Sequence, residues 1–73
     1  MHFQIIMVTS GDTRHPFDPD DPRALAEAEK RFAVLTLAGF IAAKRTGSGT
    51  SELVRHFEPA AQETVFIPRL VGG

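Results

Sequence analysis

The chain consists of short runs with strand-like hydrophobic patterns and one stretch with helical periodicity. Residues 2–9 are rich in β-branched and aromatic side chains, and residues 5–8 are apolar on both faces, which predicts a central strand. A turn signal follows at residues 10–12, and residues 13–17 are expected to return beside the first strand. Because Pro16 cannot donate a hydrogen bond to a neighbouring strand, this second strand belongs at a sheet edge. Three more strands are predicted, at residues 40–44, 51–57 and 64–70.

One helix is predicted between the second and third strands, from Pro22 to Ala38. Asp20 or Asp21 is suited to cap its N-terminus, and Pro22 fits the first helical position because its missing N–H would be unpaired there anyway. Gly39 is placed to end the helix in a left-handed conformation.

The predicted helix has an apolar side and a polar side. Its buried stripe consists of Leu25, Ala28, Phe32 and Leu35, which recur at helical spacing. Glu27 and Arg31 are expected to form an ion pair on the polar side. The six phenylalanines are spread along a chain without tyrosine or tryptophan, so each element is expected to contribute a ring to one shared core.

The order strand, strand, helix, strand, strand, strand indicates an α+β fold. The first and last strands are the most apolar, so a compact structure places them side by side in parallel at the centre of one sheet. This arrangement is the β-grasp, a mixed sheet of four to five strands with one helix packed on one face. Residues 1–68 are predicted to form this domain and residues 69–73 a flexible tail. The sheet face opposite the helix is expected to carry a partner surface, with Ile41 and Val54 as candidates and core packing as the alternative for either.

Composition narrows the possible functions. The 73 residues suffice for one domain, and the absence of cysteine excludes disulfides, cysteine-ligated zinc and a thiol nucleophile. A net charge of −1 provides no basic surface for nucleic acid or an anionic membrane. The longest apolar run is four residues, so no segment is expected to span a membrane, and no signal peptide is recognisable. We therefore expect a cytoplasmic protein.

No group of residues has the pattern of a catalytic or metal site. His2, His15 and His56 are far apart and lack metal-ligand spacing, so each is expected to be solvated or structural. The aspartates in residues 18–21 lack the glycine and closing glutamate of a calcium-binding loop, and helix capping explains them better. We therefore expect no metal, no bound cofactor and no enzymatic activity of the chain itself.

The sequence ends VFIPRLVGG, with Gly72 and Gly73 in the last two positions. One explanation is a frayed terminus, where small residues are common. A more specific explanation is chemical, because a glycine carboxylate has no neighbouring Cβ and can pass through a narrow channel to the α-phosphate of ATP. Adenylation would make the carboxylate reactive toward a thiol or sulfide, with the catalytic groups supplied by another protein.

The predicted fold and the diglycine together resemble the ubiquitin-like family. Residues 69–73, Arg-Leu-Val-Gly-Gly, are similar to the Arg-Leu-Arg-Gly-Gly end of ubiquitin, although Val71 stands in place of the second arginine. Residues 63–68 also look like the same region of the molybdopterin-synthase sulfur carriers, although Arg69 stands where these usually have proline. The resemblance implies that Gly73 is the acyl donor and Gly72 its flexible neighbour. It also implies that an adenylyltransferase of the ThiF/ubiquitin-activating type recognises Arg69, Leu70 and Val71.

Three functions stay open. The first is a protein modifier, in which the partner enzyme uses ATP to adenylate Gly73, which then passes to a carrier cysteine as a thioester and to an amine on a target. Bacterial ubiquitin-like systems with a conjugating enzyme and a JAB-type peptidase would be the setting. The second is a sulfur carrier, in which Gly73 becomes a thiocarboxylate for cofactor biosynthesis. The third is a non-covalent interaction module with a coincidental diglycine. Arg69 favours the modifier, and Lys30 and Lys44 are the two lysines on which chains could form.

Overall fold

A computed structural model describes residues 1–47 and 49–69, which contain five strands and one helix. The elements are β1 (His2–Val8), β2 (Gly11–Phe17), α1 (Pro22–Leu37), β3 (Phe40–Arg45), β4 (Ser51–Val54) and β5 (Glu63–Pro68). The predicted α+β class and the predicted element order are confirmed. Leu70, at the end of the predicted last strand, lies outside the described residues.

The strands form one mixed sheet in the order β2-β1-β5-β3-β4. β1 and β5 run in parallel, with Ile5 opposite Val65, while the other neighbouring strands are antiparallel. The predicted parallel pairing of the first and last strands is therefore confirmed, and β5 is the central strand. β2 lies at an edge, as Pro16 requires.

The hairpin between β1 and β2 is tighter than the sequence pattern predicts. Val8 lies opposite Gly11, so only Thr9 and Ser10 separate the paired strands. Gly11 has a φ of +130°, a backbone conformation that glycine adopts without a steric penalty. β2 therefore begins two residues before the predicted start of this strand at Thr13.

The ends of α1 are fixed by the residues that the sequence pattern indicates. The Asp21 side chain accepts a hydrogen bond of 3.0 Å from the backbone N–H of Arg23, and Pro22 is the first helical residue. Gly39 follows the C-cap residue Ala38 with a φ of +101°, and its N–H donates to the Thr36 carbonyl at 3.1 Å. The helix ends at Leu37, one residue before the predicted end.

The core lies between α1 and one face of the sheet. Phe32 on the helix packs with Ala42, Val54 and Phe66 on three strands, and all four are buried. Partly buried apolar side chains surround this cluster: Ile6, Leu35, Phe40 and Phe57. The buried stripe of the helix is narrower than predicted, because Ala28 and Phe32 are buried while Leu25 is only half-buried.

A row of aromatic rings connects the helix to the outer parts of the sheet. Phe32 contacts Phe66 with ring centroids 5.7 Å apart and Phe57 at 6.1 Å, and Phe57 contacts Phe17 at 6.3 Å. The expectation that all six phenylalanines share this core is wrong for Phe3, which lies on the other face of the sheet beneath Arg14.

One buried polar side chain also joins the sheet to the helix. Gln4 on β1 is fully buried, and its Nε2 donates to the Ala28 carbonyl at 2.9 Å. Arg31 Nη1 donates to Gln4 Oε1 at 3.0 Å, in place of the predicted ion pair between Arg31 and Glu27. Because both ends of the Gln4 amide are bonded, the amide is buried without leaving an unsatisfied polar atom.

Candidate functional site

The sheet face opposite α1, here called the open face, is the main candidate for a binding surface. No element in the described residues packs on it, yet Ile5, Ala43 and Val65 at its centre are each only 6% exposed. These three side chains are neighbours across β1, β5 and β3.

Four exposed apolar side chains lie around this centre on the open face. They are Met7, Ile41, Leu53 and Ile67, one from each of β1, β3, β4 and β5, and we call them the apolar patch. Ile41 is directly opposite Ile67, and Leu53 is directly opposite Ala43. Leu53 is 74% exposed and the other three are between 38% and 44% exposed. Large apolar groups clustered on one exposed face are typical of a surface that binds another protein.

The other end of the open face is charged. Glu63 lies between two arginines, with Oε2 at 3.7 Å from Arg14 Nη2 and Oε1 at 3.5 Å from Arg45 Nη1. The Arg14 guanidinium also lies 4.7 Å from the centre of the Phe3 ring, within cation–π range. Both arginines are more than half exposed, so these pairs contribute little to stability. Their effect is to make the open face polar at the start of β5 and apolar at its end.

The two residues that the sequence pattern indicates for the partner surface, Ile41 and Val54, lie on opposite faces of the sheet. Ile41 lies in the apolar patch, whereas Val54 faces the helix and is buried in the core cluster. Val54 is therefore corrected from a surface candidate to a core residue, and Leu53 takes its place on the open face. The sequence contains a signal for Leu53, because neighbours along a strand point to opposite faces, but it does not show which of the two points outward.

The end of β5 brings the chain out of the sheet beside the apolar patch. Pro68, the last residue of β5, pairs with Phe40, and Ile67 immediately before it belongs to the patch. Arg69 is exposed. The other residues proposed for activation and recognition, Leu70, Val71, Gly72 and Gly73, lie outside the described residues. Only Arg69 of the predicted tail is therefore placed.

The histidines do not converge. His2 Nδ1 lies 3.0 Å from the Pro59 carbonyl, and its ring contacts Phe17 edge-on at 5.7 Å. His15 and His56 lie on β2 and after β4. Within residues 1–47 and 49–69, no three acidic, histidine or cysteine side chains are grouped so that they could hold a metal ion.

Lys44 is the most strongly paired cation of the described chain. Its Nζ lies 2.7 Å from Glu58 Oε1 and 3.7 Å from Glu52 Oε2. The hydrogen bond that Lys44 donates to Glu58 is the main cause that raises the pKa of Lys44 above its ordinary value of 10.5, with the charges of both glutamates adding to it and partial desolvation opposing it. Lys30 is exposed on α1 and has no ion pair or hydrogen bond from its side chain within the described residues.

Comparisons with known protein families, curated proteins and solved structures find no match to this chain. Among the described residues, the single helix has 16 residues, too few to cross a bilayer.

Proposed function

We propose that this domain is a ubiquitin-like protein modifier of the β-grasp fold. In this proposal, an adenylyltransferase of the ThiF/ubiquitin-activating type activates the Gly73 carboxylate, which is then joined to an amine on a target protein. The proposal requires a free carboxylate at Gly73, whether the chain is synthesised with that end or is cut to it by a peptidase of the JAB type. The domain supplies the carboxylate and the binding surface, and the partner enzymes supply catalysis.

One observation carries the proposal: the central strand β5 delivers the chain to an exposed apolar surface just before the diglycine. β1 and β5 pair in parallel at the centre of the sheet, and α1 covers one face, which is compatible with a β-grasp. Ile67 of the patch is two residues before Arg69, and Gly72 and Gly73 follow in the sequence. A partner bound to the apolar patch would therefore have the reactive end of the chain nearby.

The chemistry needs nothing from this chain except the carboxylate. A Gly73 carboxylate oxygen attacks the α-phosphorus of ATP, and pyrophosphate leaves. A thiolate of the partner enzyme then attacks the acyl carbon and displaces AMP, and an amine on the target displaces that thiolate to form an amide. Because Gly72 and Gly73 have no Cβ, the end of the chain can pass through a narrow channel of the partner enzyme to the ATP site.

The sulfur-carrier alternative shares the adenylation of Gly73 with the modifier and differs from it in the group that then displaces AMP. In this case a sulfide equivalent displaces AMP, and the product is a thiocarboxylate. Residues 63–68, with an acidic residue before apolar strand residues and a proline, are the feature that favours it. The non-covalent alternative is favoured by the apolar patch alone.

A direct test incubates the protein with a ThiF-type enzyme and ATP and measures intact masses. We expect an adenylate on the free protein or a thioester to the enzyme. A product in which one oxygen is replaced by sulfur would favour the carrier instead. If removal of Gly72 and Gly73 changes neither partner binding nor any product, both covalent functions are wrong and the non-covalent module is favoured.

A matched pair of variants tests how the tail is recognised. Arg69 and Arg55 are both exposed arginines, but only Arg69 adjoins the end of β5. We expect Arg69→Ala to raise the KM of the activating enzyme for this protein several-fold and Arg55→Ala to leave it unchanged. Equal effects of the two substitutions would mean that the enzyme responds to net charge and does not recognise the tail.

A further inference from the structure

The two lysines of the chain differ in exposure and in pairing with acidic side chains, and this difference determines which side-chain amine can react. Lys44 is held between Glu58 and Glu52, and only 29% of its side chain is exposed. Lys30 lies in the middle of α1 on an exposed position with no ion-pair partner among the described residues.

An amine attacks an acyl carbon only as the neutral base, with its lone pair free to approach the carbon. Lys44 is unsuited to this on two counts. Its ammonium donates a hydrogen bond of 2.7 Å to Glu58, so loss of the proton would break a charge-assisted hydrogen bond. The two glutamates also occupy the space around Nζ, which an acyl donor would have to enter.

The surroundings of Lys30 are open to a donor. Lys30 borders a groove between α1 and β1 that is lined by Ile6, Val34 and Leu35 and by two charged side chains, Glu27 and Arg31. Neither charged side chain is paired with Lys30 in the described part of the chain. Val34 is 57% exposed and lies one helical turn after Lys30, so the residues beside the amine can be contacted by an enzyme that carries the donor.

We propose that Lys30 is the acceptor site of this domain for activated acyl groups, meaning thioesters and acyl adenylates, and that Lys44 is a structural cation. The neutral Lys30 amine attacks the acyl carbon, the new C–N bond forms, and the thiolate or AMP leaves with the bonding electrons. The amine proton passes to solvent. Where the donor is the activated Gly73 of a second copy, the inference rests on the proposed function and gives two domains linked through Lys30.

A chemical test needs no partner enzyme. The native protein is treated with a limiting amount of acetyl N-hydroxysuccinimide ester at about pH 8. Cleavage after arginine then places the lysines in separate peptides, residues 24–31 and 32–45, for mass spectrometry. We expect Lys30 to be acetylated several-fold faster than Lys44, and the two rates to become similar in urea. Glu58→Gln should raise the rate at Lys44 and leave that at Lys30 unchanged.

Two results would overturn the inference. One is a native rate at Lys44 equal to or above that at Lys30. The other is a rate ratio that persists in urea, since the difference would then come from the local sequence and not from the fold.

An enzymatic test separates this inference from the proposed function. With the activating and conjugating enzymes and ATP, Lys30→Arg should abolish the linked pair of domains, and Lys44→Arg should leave it. A link through Lys44 or through the α-amino group would contradict the inference while supporting the modifier. If no adenylate forms at all, the proposed function is wrong, and the acetylation rates alone decide the acceptor site.

Discussion

Gln4 and Arg31 are joined across the interface of sheet and helix by a hydrogen bond of 3.0 Å between Arg31 Nη1 and Gln4 Oε1. Because the Gln4 amide also donates to the Ala28 carbonyl, one side chain fixes the position of α1 relative to β1. A buried amide with both ends bonded specifies one packing arrangement more strictly than an apolar side chain does.

Removal of this amide should therefore destabilise the domain. We expect Gln4→Ala to lower the free energy of unfolding by about 2–3 kcal/mol, because the hydrogen bonds are lost and a cavity remains. The measurement is urea unfolding followed by circular dichroism. Gln62→Ala is the control, since Gln62 is exposed and its change should stay within about 0.5 kcal/mol. Equal effects at the two positions would show that the Gln4 contacts do not contribute.

The neighbours Leu53 and Val54 provide a test of which sheet face is buried. We expect Val54→Ala to lower the free energy of unfolding by about 2 kcal/mol, since Val54 belongs to the core cluster. Leu53→Ala should change it by less than about 0.5 kcal/mol, because the side chain is 74% exposed. If the modifier proposal holds, Leu53→Ala should still weaken binding of the activating enzyme. A larger stability loss at Leu53 than at Val54 would reverse the assignment of the faces.

Stability should fall at alkaline pH through the ion pair of Lys44. Its folded-state pKa is raised, mainly by the hydrogen bond that it donates to Glu58, so the contribution of the pair to stability is fully present below the unfolded pKa of 10.5 and is lost as pH rises through the folded pKa. The chain has no tyrosine or cysteine to titrate in this range. Thermal unfolding measured at increasing alkaline pH should show a loss of stability in the native protein and a smaller loss in the Glu58→Gln variant. If stability depends on pH in the same way in both proteins, the ion pair between Lys44 and Glu58 is not the cause of the alkaline loss.

Gly39 should be sensitive to substitution for a reason that concerns only the backbone. Its φ of +101° is unfavourable for a residue with a Cβ, although nothing lies within 4 Å of where that Cβ would be. We expect Gly39→Ala to cost about 1–2 kcal/mol in thermal or urea unfolding. Gly47→Ala serves as the control, because Gly47 also has open space around it and no positive φ. A neutral Gly39→Ala would mean that the end of α1 rearranges at no cost.

The sequence predicts the helix well because its signals are local, and it predicts the two central strands from their apolar pattern. Asp21, Pro22 and Gly39 determine the ends of α1 through their own backbone chemistry, without help from distant residues. The parallel pairing of β1 and β5 follows from their apolar character on both faces. These features can be predicted from the hydrophobic pattern and from the way in which parallel strands are connected.

The predictions that differ from the structure depend on contacts between distant residues. The sequence pattern extends the fourth strand to Phe57, but β4 ends at Val54, and the Phe57 ring packs against Phe32 and Phe17. Alternation alone does not reveal that both Val54 and Phe57 are directed toward the core, because an unbroken strand would put them on opposite faces. Similarly, nothing local to Arg31 indicates that its partner is Gln4, 27 positions away.

The central position of β5 has a consequence for the synthesis of the protein. Until residues 63–68 have left the ribosome, β1 has a neighbour on one side only, and β3 and β4 form a hairpin with nothing to join it to β1. Because the last strand to emerge is the one that unites the sheet, the domain completes its folding late, through contacts between parts of the chain separated by about 60 residues. Before that point the nascent chain exposes the strand edges that β5 later covers, and unpaired strand edges make a partly folded chain prone to aggregation.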